Sequence, residues 1–114
     1  MTLGQIIELL EADILSGRDN LEREIKSACG SDLMSDVLAF AKEKQILITG
    51  LVNPQVIRTA EMLDIFIIIF VRGKTPTPDM IALANERSMT LLSTGYNMFS
   101  ACGLLFENGI GRDG

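Results

Sequence analysis

Ile65-Phe66-Ile67-Ile68-Ile69-Phe70-Val71 is a run of seven apolar residues, mostly β-branched or aromatic, with no polar alternation. A strand of that composition must be covered on both faces, as in a parallel sheet held between layers of helix. The same grammar recurs on either side of it. Gln45–Leu63, Ile65–Arg87 and Thr90–Glu107 each run an apolar stretch into a small-residue turn and then an amphipathic helix. Three such units predict an α/β fold of three layers, with a mainly parallel sheet of four to five strands. Open sheets of this kind bind ligands where strands end and helices begin.

Working outward, Asn53 before Pro54 and Thr77 before Pro78 place an N-cap residue ahead of a proline at the first helical position, where its missing N–H is not needed. Leu91-Leu92-Ser93-Thr94 leads to a last helix expected to bury Met98, Cys102, Leu105 and Phe106, with Asn108-Gly109 as its stop. On the N-terminal side, Thr2-Leu3-Gly4-Gln5 reads as a capping box, and Leu3, Ile6, Ile7 and Leu10 fall on one helical face. Ile14 and Leu15 run out into a turn at Ser16–Asn20. The stretch from Leu21 to Cys29 suits a helix by Leu21, Ile25 and Ala28, and a strand by its alternation over 24–29; the strand is chosen. Gly30-Ser31-Asp32 is expected to open a helix with Met34, Val37, Leu38 and Ala41 on its buried face.

The chain has 114 residues, of which 47% are hydrophobic and 22% charged. One domain, residues 1–114, can bury roughly two-thirds of its extended surface at this length, with 109–114 expected to fray. Glu8, Glu11 and Asp13 stand where a secretory leader would need an apolar run, and seven apolar residues fall far short of the roughly 20 that span a bilayer. Cys29 and Cys102 have neither CxxC spacing nor a histidine to help hold zinc. Reduced thiols in a soluble cytoplasmic protein are expected, the alternative being a secreted chain with one disulfide. The net charge of −5 sits in residues 1–36, which carry eight acidic and three basic groups. That distribution disfavours nucleic acid, which demands clustered lysine and arginine.

With no histidine, the chain has no Ser-His-Asp or Cys-His arrangement and no imidazole base. Two phosphate motifs are imitated only. Gly109–Gly114 matches GxGxxG but follows an expected helix, with no strand before it and no helix read after it, whereas the dinucleotide mechanism needs both flanks. Gly73-Lys74-Thr75 resembles the end of a P-loop, but its first glycine would fall at Ile68, inside the strand. The stronger candidate is the set of strand-to-helix turns together: Thr49 and Gly50, Arg72, Gly73 and Lys74, Ser93 and Thr94. In a parallel sheet they gather on one edge, bringing hydroxyls, glycine N–H groups and two cations to helix N-termini that favour anions. The bland reading is that these residues are turns, caps and solvated charges. Asp32 and Asp36, spaced i, i+4, are weak candidates for Mg²⁺ and otherwise suit the first turn of a helix.

From Gly30 onward, Ser31–Leu38, Leu47–Gly50, Val56–Ala60, Ile68–Gly73, Pro78–Ala84, Leu92–Thr94 and Phe99–Leu105 follow in order and at the spacing of the DRTGG-domain family. The chain resembles its small stand-alone members, which are similar to the HPr kinase N-terminal domain. The resemblance implies an α/β/α domain related to the N-terminal domains of HPr kinase and Mur ligases. It also implies a non-catalytic, cofactor-free regulatory role, often in a homodimer, in a family whose relatives accompany CBS domains in regulated pyrophosphatases. The family's Asp-Arg falls near Leu51-Val52 and its Thr-Gly-Gly at Val71-Arg72-Gly73, so that only Gly73 is retained. Arg72 and Lys74 are the cations available in place of the absent arginine.

Three functions compete on this reading. The leading one is a non-enzymatic regulatory domain, homodimeric, binding a nucleotide or phosphorylated metabolite at the strand ends. A protein–protein or assembly accessory, whose acidic first 36 residues meet a basic partner, is the second. A phosphotransferase related to HPr kinase is the third; it would rest on Asp32, Asp36 and Lys74 alone.

Overall fold

A computed structural model describes residues 1–111. In chain order the elements are helix α1 (Leu3–Leu9), strand β1 (Asp13–Ser16), a 3₁₀ turn (Arg18–Asn20), β2 (Ala28–Gly30), α2 (Met34–Phe40), β3 (Ile46–Thr49), α3 (Pro54–Met62), β4 (Ile67–Phe70), α4 (Pro78–Glu86), β5 (Thr90–Ser93) and α5 (Met98–Glu107). The strands form one sheet in the order β1-β5-β4-β3-β2. β2 to β5 run parallel and β1 lies antiparallel on the edge of β5.

The greasy strands are explained by two cores, one on each face. Alternation sends Ile46, Ile48, Ile67, Ile69 and Leu92 to the face covered by α1 and α5. Leu47, Ile68, Phe70 and Leu91 point to the face covered by α2, α3 and α4. Of the seven residues from Ile65 to Val71, only Ile67–Phe70 are in the ladder; Ile65 and Val71 are buried just beyond its ends. The caps form as the sequence predicts. Thr2 and Gln5 make a reciprocal capping box, Asn53 Oδ1 accepts from Gln55 N at 2.8 Å, and Thr77 Oγ1 accepts from Met80 N at 3.3 Å.

Several boundaries differ from expectation, each for a local reason. Ile14 and Leu15 do not end in a turn but form β1, anchored where Ser16 Oγ donates to Met89 O at 2.8 Å. Of the strand expected over 24–29, only Ala28 and Cys29 lie in β2, which runs on to Gly30. The Gln45 side chain replaces the ladder before it, accepting from Lys26 N at 2.7 Å, while Gln45 N donates to Ser27 Oγ at 3.0 Å. α2 begins at Met34, because Ser31 Oγ accepts from Leu33 N and Asp32 turns back to β3. Leu38 and Phe106, expected in the core, are exposed. After α5, within the stretch expected to fray, Ile110 is buried and Gly111 N donates to Lys26 O at 2.9 Å. Residues 112–114, and with them the end of the GxGxxG match, lie outside the described residues. No helix among the described residues is long and apolar enough to cross a membrane.

Candidate functional site

The ends of β3, β4 and β5 converge on one rim, and hydrogen bonds tie their exit loops together. Val71 N donates to Thr49 O at 3.0 Å, Arg72 N to Tyr96 O at 2.8 Å and Gly73 N to Thr94 O at 2.8 Å. Ser93 Oγ donates to Lys74 O at 2.7 Å. All seven residues singled out from the turns therefore lie on one edge of the sheet, but their polar groups fall into two kinds.

The first kind is engaged within the protein. Thr49 is fully buried; its hydroxyl donates to Asp32 Oδ1 at 3.1 Å and accepts from Leu51 N. Gly50 N donates to the same Asp32 oxygen at 2.6 Å. The Asp32 carboxylate thus takes up the two donors at the end of β3 that an incoming anion would otherwise use. Thr94 Oγ1 donates to Leu10 O at 2.6 Å, pinning the end of α1 to the sheet. These short, partly buried bonds hold the rim rigid.

The second kind is free. Arg72 and Lys74 are exposed, and their side chains make no hydrogen bond or ion pair among the described residues. Arg72 has a left-handed backbone, φ 58°, followed by Gly73 at φ 70°. For a non-glycine residue that conformation is strained and persists only where surroundings enforce it. Here the bonds from Arg72 N to Tyr96 O and from Gly73 N to Thr94 O do so. The guanidinium lies over Gly50, where a Cβ would come within 2.9 Å of Arg72 Nη2. Nothing lies within 4 Å of the place where a side chain at Gly73 would begin, so the turn is open from above. The result is two cations over a floor of satisfied backbone, with one carboxylate at its β3 end.

Asp32 and Asp36 do not share a helical face: Asp32 precedes the helix and points to β3, while Asp36 stands in the first turn of α2. No three acidic or thiol side chains gather as a metal cage among the described residues. Sequence reasoning missed Asp32 as the internal acceptor and Tyr96 as the carbonyl that holds Arg72. Tyr96 also donates its hydroxyl to Glu11 Oε2 at 3.1 Å, and that bond, with the Glu11 charge, holds the phenol above its ordinary range.

Beside the rim, an apolar groove of about 600 Å³ runs along the open side of β2 under α5. Ala28, Gly30, Met98, Cys102 and Gly103 line it, with Phe99 and Phe106 on its margin. A Cβ at Gly30 would meet Cys102 Sγ at 2.8 Å, so glycine is what lets the helix approach β2. Burial pushes both thiols above the usual range, Cys102 with an added push from Cys29, and Cys29 with a smaller opposing pull from Lys44.

The fold is similar to a solved structure of the CBS and DRTGG domains of the regulatory region of Clostridium perfringens pyrophosphatase, in complex with its activator diadenosine tetraphosphate. The two share 21% identity with a TM-score of 0.78; the match covers 91% of this chain and 45% of the other, so this chain spans less than half of it. No curated protein sequence matches the chain significantly. Residues 5–107 match the model of the DRTGG domain, in accord with the resemblance carried by the ordered segments from Gly30 to Leu105. The chain belongs to the DRTGG domain family.

Proposed function

We propose that this protein is a non-enzymatic regulatory domain of the cytoplasm. In this reading it senses a nucleotide or similar polyphosphate at the strand ends and acts as a homodimer. The observation that carries the reading is Arg72: a residue with a left-handed backbone, held through its N–H by Tyr96 O, whose guanidinium lies over Gly50 with no carboxylate paired to it among the described residues. A backbone fixed in this way, as it also is at Glu11, Glu43, Asp64 and Ser88, sets the direction of the side chain before a ligand arrives. Lys74 adds a second charge, and Gly73 leaves the approach open. Thr49, Gly50, Ser93 and Thr94 form the floor rather than the hand. Phosphate recognition by an arginine and a lysine side chain fits this division. The complex of the pyrophosphatase regulatory region with diadenosine tetraphosphate supports a nucleotide as the first ligand to try.

The test is thermal unfolding with diadenosine tetraphosphate, mononucleotides and phosphorylated metabolites in turn. A ligand at one hundred times its dissociation constant adds about 2.7 kcal/mol, roughly a 10 °C rise for a domain of this size. The rise is expected to disappear in the double variant Arg72→Ala, Lys74→Ala. No rise with any of these compounds sinks the proposal.

A further inference from the structure

Tyr96 is the only tyrosine of a chain without tryptophan, and the fold ties it into the rim from three directions. Its carbonyl accepts from Arg72 N at 2.8 Å. Its N–H donates to Thr94 Oγ1 at 3.3 Å, and that hydroxyl in turn donates to Leu10 O. Its phenol donates to Glu11 Oε2 at 3.1 Å. Main chain and side chain are both fixed, with the ring laid between the loop after β5 and the end of α1. The ring is half-buried against the core on the α1 and α5 face, and the rest of it is open to solvent. Beside it Gly95 is exposed, and nothing lies within 4 Å of where its side chain would begin. A tie between loop and helix would need only the hydroxyl; this residue also offers a flat apolar surface at the rim.

The charges along the rim are sorted around that ring. Arg72 and Lys74 follow β4, and the Arg72 guanidinium lies over Gly50 at the end of β3. The one carboxylate there, Asp32, accepts from Gly50 N and Thr49 Oγ1. At the other end stand Glu11 and Asp13, where β1 meets the end of β5 with Asp13 opposite Ser93. A phosphate is drawn to the first end and repelled from the second, so the part of an anionic ligand that reaches Tyr96 is its neutral part. The bond to Glu11 and its charge hold the phenol above its ordinary range, so the ring itself stays uncharged and repels no anion. From β3 to β5 is two strand spacings, about 10 Å, which matches the reach from the outer phosphates of a nucleoside di- or triphosphate to its base.

We propose that the Tyr96 ring is the platform on which the base of the ligand stacks, so that the rim selects nucleoside polyphosphates over inorganic polyphosphates of similar charge. This rests on the phosphate reading of Arg72 and Lys74, and adds to it the residue that chooses among phosphates. Stacking on an aromatic side chain is tolerant of base identity, because every base has a π-face. Tyr96 therefore selects nucleotides as a class, while the two cations supply the attraction common to all phosphates. The bond from Arg72 N to Tyr96 O fixes the main chains of the two residues to each other, so platform and guanidinium stand in set positions before a ligand arrives.

Calorimetric titration of the whole chain with ATP and with inorganic tripolyphosphate tests the platform, in wild type, Tyr96→Leu and Tyr96→Phe. Leucine keeps an apolar side chain over the core but has no flat face; phenylalanine keeps the face and loses the bond to Glu11. ATP affinity is expected to fall about 5- to 150-fold in Tyr96→Leu, the worth of one stacked base, and to be retained in Tyr96→Phe. Tripolyphosphate is expected to bind all three alike. The single tyrosine also gives one set of ring-proton NMR signals, expected to move upfield with ATP and to stay in place with tripolyphosphate. ATP that binds Tyr96→Leu as tightly as wild type, or ring signals unmoved at saturation, overturns the platform and leaves the phosphate reading standing. An equal loss for both compounds in Tyr96→Leu also overturns it, since Tyr96 would then act only by holding Arg72. If neither compound binds the wild type, the phosphate reading itself fails and the platform falls with it.

Discussion

Asp32 sets the character of the rim. Its single oxygen accepts both the Gly50 N–H and the Thr49 hydroxyl, so Asp32→Ala leaves a buried N–H without a partner. A loss of about 1–3 kcal/mol in urea unfolding is expected, since bonds to a charged acceptor are worth that much. The same change removes a negative charge close to Arg72. Nucleotide affinity is therefore expected to rise about threefold by titration calorimetry, as one screened charge at this range is worth under 1 kcal/mol. Opposite signs in the two measurements would show that Asp32 holds the rim together while opposing the phosphate that Arg72 and Lys74 attract. The two thiols offer a separate check. Burial raises both above their ordinary value of 9.0, so the folded state keeps its protons longer than the unfolded chain. Their contribution to stability is complete below that pH and declines above it. In Cys102→Ser, the alkylation rate of Cys29 should still be climbing at pH 9; a plateau near pH 8 would contradict this. The sequence named Arg72 and Lys74 through their position after an apolar strand. It offered Asp32 only as a helix-start residue or a weak Mg²⁺ ligand, not as the acceptor at the end of β3, because a carboxylate before a helix reads as a cap unless its distant partner is known.

At the level of elements, what could be read was what repeats. Three strand–turn–helix units, with Asn53-Pro54 and Thr77-Pro78 as caps, gave β3, β4, β5 and the helices that follow them, because strand burial and capping are local statements. β1 was not legible. It has four residues, two of them half-buried, and it exists because β5 lies beside it and Ser16 reaches Met89 O. Its exit depends on Gly17, which has φ 75° and whose Cβ would lie 2.5 Å from Thr90 Oγ1 and 2.7 Å from Met89 O. Gly17→Ala combines backbone strain with a clash against main chain, and should destabilise by at least about 2 kcal/mol. A melting temperature within a degree of wild type would mean that β1 is not held as described. Thr94→Val leaves the shape but removes the bond to Leu10 O, 84 residues away. A loss of about 1–3 kcal/mol is expected, together with faster amide exchange at the end of α1.

For the whole molecule, the parallel ladder decides everything downstream. Four strands leaving the sheet in one direction put their loops on a common edge, and the greasy run at Ile65–Val71 foretold that arrangement. What it could not foretell is how the edge divides: donors on β3 satisfied by Asp32, cations after β4 left exposed, and an apolar flank around β2 on the side away from β1. Such divisions come from contacts between residues tens of positions apart, and only the assembled fold contains them. The most direct test is an NMR titration of the ¹⁵N-labelled protein with diadenosine tetraphosphate. The amides of Gly50, Arg72, Gly73, Lys74 and Tyr96 are predicted to shift first and most, with those of Gly17–Asn20 and Asn85–Ser88 at the opposite end unmoved. A spectrum unchanged at millimolar ligand, or shifts confined to that opposite end, would contradict a phosphate-sensing rim at the strand termini.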